Sequence, residues 1–145
     1  MLPVAIVVLI LFLLFFPRRQ KVRGMTDARA INLSGSLRML NQRAVKNYLM
    51  IGADMNPQQA RQQLEDTVQL FEMRLMMLEK WARGETLTYL LRRVDRGWAH
   101  YRDQLLQPPD RDRVPGLLRE GDDLLQITNE LVEEIVHRCG QHEAA

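Results

Sequence analysis

The chain has 145 residues, 46% hydrophobic and 26% charged, with a formal charge of +2, one cysteine and 8 glycines. That length holds one ordinary domain with an appendage. A lone Cys139 excludes a disulfide framework and a cysteine-only zinc site, and few aromatics (6%) and few glycines argue against a β-sandwich or a glycine-rich nucleotide fold.

Charge divides the chain. Arg18, Arg19, Lys21 and Arg23 form one cluster; beyond it 16 basic residues meet 18 acidic ones, so the body from Gly24 onward is at −2. The overall basic balance is therefore partly a property of one short segment, and no nucleic-acid partner is expected.

Leu2 to Phe16 is an unbroken apolar run closed by Pro17. As a helix it would span about 22 Å, short of the roughly 30 Å hydrocarbon core. A cleaved signal would carry its basic residues before the run and a small-x-small site after it. Here the basic residues follow the run, so residues 1–17 read as an uncleaved membrane anchor, with a signal-like segment as the alternative, and 18–25 as a basic linker. The positive-inside rule alone places such a flank, and the body with it, in the cytoplasm.

Four stretches with helical hydrophobic spacing follow. The first, Thr26 to Ala53, carries Leu33, Leu37, Leu40, Ala44, Tyr48 and Ile51 on one stripe. Asp54 to Pro57 is a turn and restart, with Asn56 as the expected cap. The second helix, to Arg83, carries Leu64, Val68, Phe71, Leu75, Leu78 and Ala82, and Gly84 supplies a left-handed stop. The third, Glu85 to Gln107, shows Leu87, Leu91, Val94, Trp98, Tyr101 and Leu105, with Gly97 making room for a neighbour. Pro108 to Gly116 reads as a loop, because paired prolines cannot continue a helix. The fourth helix, Leu117 to Cys139, uses Leu124, Ile127, Leu131 and Ile135 and ends at Gly140. Stripes of this width must be buried against one another, and short links force antiparallel neighbours. The expected fold is all-α: an antiparallel up-down-up-down four-helix bundle over residues 26–140, preceded by an N-terminal transmembrane helix and followed by a tail, 141–145.

The first helix holds residues its core stripe does not explain. Ser34, Gly35, Arg38, Asn41 and Gln42 recur at spacings of three and four. Serine, glycine and asparagine are poor helix formers there. Gly35 removes bulk one turn before Arg38, whose guanidinium offers a fork of donors suited to a small anion. From Gly24 to Ala53, Arg29, Arg38, Arg43 and Lys46 face only Asp27, a local +3. The plainer alternative is that Arg38 and Arg43 are solvated and Gly35 marks a tight helix crossing.

The segment INLSGSLRMLNQRAVKNYLMIG resembles the opening helix of the PilJ-type N-terminal domain of type IV pili methyl-accepting chemotaxis transducers. It is also similar to the first helix of nitrate/nitrite sensor histidine kinases across Asn32 and Gly35 to Met39. The resemblance covers roughly residues 28 to 137, specific in the first helix and mainly helical pattern beyond it. It implies a periplasmic sensory module of the bacterial inner membrane, single-pass here, dimeric through its first helices. It also implies that the arginine at position 38 contacts the ligand, with Gly35 the adjoining glycine and a nitrate-like anion a candidate. Ser34, Asn41 and Gln42 join that list from spacing alone. The resemblance thus sets the body in the periplasm, against the basic flank.

Such sensors continue into a second membrane span and a signalling module, and this sequence ends at Ala145 without either. The expectation is a module that passes its signal by contact with a partner protein. The alternative is an accessory or structural subunit of a larger membrane complex. No cofactor, metal site or catalytic set is expected: His100, His137 and His142 are scattered, and no nucleophile has a paired base. Met73, Met76 and Met77 read as core filler or flank, and Arg92, Arg93 and Arg96 as a solvated basic face.

Overall fold

A computed structural model describes residues 24–143. The apolar run assigned to the anchor, most of the basic linker and the last two residues lie outside the described residues. No helix among the described residues is long and apolar enough to cross a membrane. They form four α-helices and one 3-10 turn, with no strand: α1 (Asp27–Gly52), α2 (Pro57–Trp81), α3 (Glu85–Leu105), the turn Arg111–Arg113, and α4 (Val114–Glu143).

Local chemistry sets the boundaries. Thr26 caps α1, its hydroxyl accepting from the Arg29 N–H at 3.3 Å. Asn56 makes no side-chain cap bond. It reverses the chain instead, left-handed at φ 45° after Asp54 at 56°, a conformation that short polar side chains tolerate. Pro57 then opens α2, where its missing N–H costs nothing. Gly84 has φ +88°, a backbone conformation that favours glycine, and the Arg138 guanidinium lies against it. The expected long loop is shorter than its prolines predict. Asp110 caps the 3-10 turn by accepting from the Asp112 N–H, and α4 begins at Val114 with Pro115 and Gly116 in its first turn. Exposed Gly140 does not stop α4, which continues to Glu143.

Cross-links establish the antiparallel order. Arg38, Asn41 and Tyr48 of α1 bond to Asn129, Gly121 and Asp110, descending along α4 and its approach as α1 ascends. On α3, Arg93 pairs with Glu130 at 2.5 Å, and His100 with Glu120 at 3.0 Å, again in opposite senses. The predicted stripes meet in one core. Leu37, Leu40, Tyr48, Phe71, Leu78, Val94, Trp98, Tyr101, Leu131 and Ile135 are among its buried members. Leu33, Ile51, Ala82 and Ile127 sit at its edge, half-buried. At the centre Trp98 stacks on Phe71, centroids 3.8 Å apart, and meets Tyr101 edge-on at 6.2 Å.

The seams are unequal. α1 packs closely on α2 and α4, and α3 on α4, while the α2–α3 seam is splayed above its aromatic floor. A cavity of about 240 Å³ there is bordered by Glu72, Leu75, Met76, Asp95, Trp98 and Arg102. Burial and the facing Asp95 raise the pKa of Glu79, which lines the same seam.

Half-buried Gly121 presses against Tyr101 of α3. A Cβ there would lie 2.9 Å from Tyr101 Oη and 3.3 Å from its Cζ. Tyr101 is fully buried, so its rigid ring has nowhere to retreat. Burial, aided by Asp122 and Glu120, pushes its hydroxyl pKa far above the ordinary range. Gly97, by contrast, would meet only the side-chain tips of Leu124 at 3.4 Å and Ile127 at 4.0 Å. Gly121→Ala should therefore lower unfolding free energy by about 1–2 kcal/mol, overpacking outweighing the gain in helix propensity. Gly97→Ala should be neutral or stabilising; urea midpoints for the two variants check both. Because the folded-state pKa of Glu79 is raised, its charge is a cost at neutral pH that disappears as pH falls towards the ordinary value of 4.5 for a free glutamate. Glu79→Gln should raise the melting temperature slightly at pH 7, with the gain vanishing below about pH 4.5, as melting curves across pH would record.

Candidate functional site

Two neighbours claim α1, and their positions decide what its polar residues do. With 100° per residue, the buried arc runs through Ala30, Ser34, Leu37, Leu40, Asn41, Ala44, Asn47 and Tyr48. The five residues expected to form one strip are divided by this arc. Ser34 is fully buried, its hydroxyl donating to the Ile31 carbonyl at 3.0 Å. Asn41 is 3% exposed and donates from Nδ2 to the Gly121 carbonyl of α4 at 2.8 Å. Both are interior packing groups, because they lie on the side of the apolar stripe that meets α4. Arg38 and Gln42 are exposed, and Gly35 is half-exposed.

Among the described residues, Asn41 Oδ1, Asn47 Nδ2 and Tyr101 Oη are buried without hydrogen-bond partners. An unpaired buried polar atom costs about 1–3 kcal/mol. The interior of α1 is thus more polar than stability alone favours.

Arg38 folds toward α4. Its Nη1 donates to Asn129 Oδ1 at 3.2 Å, and among the described residues it has no carboxylate partner. A neutral amide orients the guanidinium without cancelling its charge. Arg93 on α3 is different: Glu130 neutralises it, and it lies over the Tyr89 ring at 5.7 Å. Asn129 stands 91 residues from Arg38 in the chain, and nothing in its local sequence marks it.

Gly35 has no need within the protomer to be glycine. A Cβ there would meet only Arg38 Nη2, at an ordinary 3.8 Å. Yet glycine inside a helix costs about 1 kcal/mol relative to alanine. It stands on a second stripe of α1, directed away from the core: Ala28, Asn32, Gly35, Met39, Gln42, Lys46 and Leu49. That stripe alternates steps of four and three, the rhythm of a helix–helix seam, and Met39 is 57% exposed. The spacing is visible in the sequence, where the stronger leucine stripe obscures it.

Elsewhere the chemistry is sparse. Among the described residues no group of three or more His, Cys, Asp or Glu could hold a metal ion. His100 is bonded to Glu120 and Gln104. Cys139 is buried in the core.

The model of one family, the type IV pili methyl-accepting chemotaxis transducer N-terminal domain (PilJ), matches residues 24–119. The chain belongs to the PilJ family. The match takes in α1, α2, α3 and the start of α4, which makes the helical bundle a chemotaxis-transducer-like sensory module. No characterised protein and no solved structure is significantly similar to the chain.

Proposed function

We propose that this PilJ module is a membrane-associated, non-catalytic receptor that binds a small oxyanion beside Arg38, at a face where the first helices of two copies meet. The observation that carries the reading is the exposed Arg38 guanidinium, held by a neutral amide and set beside a glycine the protomer itself does not require. A cation kept uncancelled on a helix surface favours an anion, and its planar fork matches nitrate or nitrite. Gln42, one turn on, adds an exposed amide to the same side. Asn41 would act behind the site, setting α1 against α4, with Ser34 buried earlier on the same helix and bonded within it.

In this reading residues 1–17 hold the chain at the bacterial inner membrane and the bundle faces the periplasm, as befits a transducer's N-terminal sensor. The outer stripe of α1, with Gly35 and Met39 at its centre, pairs with a second copy. The signal then leaves by contact with a partner protein. A second reading, favoured by exposed Met73 on α2 and exposed Met76 bordering the open α2–α3 seam, is an accessory subunit that docks on a larger membrane complex without sensing a ligand.

Calorimetry on the purified full chain with nitrate, nitrite and sulfate separates them. Binding by the wild type should fall at least about tenfold in Arg38→Ala, since a charged hydrogen bond contributes about 1.5–3 kcal/mol. Equal binding by both proteins contradicts the receptor reading. No binding, with a stable stoichiometric membrane partner, favours the accessory subunit.

A further inference from the structure

We infer that Asn129 is a positioning residue that sets the specificity of the Arg38 site; the inference rests on the anion-binding reading above. Arginine is a long side chain with many rotamers, and an unheld guanidinium on a helix surface must be ordered at the moment of binding. The Arg38–Asn129 hydrogen bond supplies that order beforehand, drawing the fork across the α1–α4 groove at 3.2 Å. It uses one of five donors, leaving the others for a ligand.

The identity of the partner matters more than its presence. Asn129 is half-buried, so its backbone places the amide against α1. Its neighbour Glu130 is committed to Arg93 on the other flank of α4, at 2.5 Å. The helix therefore presents a neutral acceptor to Arg38, with the adjacent carboxylate held by Arg93. A carboxylate at position 129 would pair with the guanidinium and compete with any anion. The same planar amide carries an N–H2 group beside the guanidinium. A planar oxyanion offers two separate oxygens, one for each of these donors, whereas a halide has a single acceptor centre for both. The family match ends at residue 119, so Asn129 lies beyond the region that identifies the family.

The test is calorimetry of the purified full chain with sodium nitrate and sodium chloride, using Asn129→Ala, Asn129→Asp and, as a charge control, Gln126→Glu on an exposed position of the same helix. Melting curves run in parallel confirm folding. The expected result is nitrate affinity lowered severalfold in Asn129→Ala and by more than about tenfold in Asn129→Asp, with Gln126→Glu within about twofold of wild type. The nitrate preference over chloride should shrink in Asn129→Ala, and melting temperatures should stay level or, in Asn129→Asp, rise. Undiminished nitrate binding in Asn129→Ala, or an Asn129→Asp effect no larger than that of Gln126→Glu, overturns the positioning role and leaves the receptor reading intact. Absence of nitrate binding by the wild type overturns both.

Discussion

α1 is gripped from two sides at once, and most of the structure's functional content follows from that. Its contacts with α2 and α4 bury a wide arc and leave a narrow outer ridge. A residue's side of that boundary, rather than its polarity, determines its work. Asn41 lies inside and joins α1 to the Gly121 carbonyl. Arg38 lies at the margin and reaches Asn129, and Gly35 opens outward. The α1–α4 contact is consequently a polar seam, with direction and register specified by hydrogen bonds.

The opposite seam has another character. α2 and α3 meet over stacked Phe71 and Trp98, but their outer edges part around Glu79 and Asp95. Arg102 bridges part of the gap by bonding Glu72 at 2.6 Å. Exposed salt bridges of this kind contribute little, typically under about 1 kcal/mol. The fold thus has one well-tied seam beside the proposed ligand face and one looser seam across the bundle.

Much of this is legible in the sequence, for physical reasons that also mark the limit. The leucine stripes of all four helices emerge because burial imposes a 3.6-residue period on apolar residues. Leu37, Leu75, Val94 and Leu131 all lie in the core as their spacing requires. Spacing fails where only neighbours decide. Ser34 and Gln42 have equal claims to a polar strip until α4 is placed, and then one is buried and the other exposed. Pro115 looks like a loop residue but sits in the first turn of α4, where proline is well accommodated. Asn56 has a capping side chain and serves instead as a left-handed hinge. Asn129 is invisible from sequence, since its importance consists entirely in a contact made 91 residues away.

The central claim is that the bare position on α1 serves something outside the protomer, and Gly35→Ala tests it most directly. Urea unfolding at high dilution should show the variant more stable than wild type by about 0.5–1 kcal/mol, because the helix gains and no contact is lost. Sedimentation equilibrium over a wide concentration range should show weaker self-association in the same variant. A variant less stable at dilution, or one that associates as the wild type does, would contradict the account.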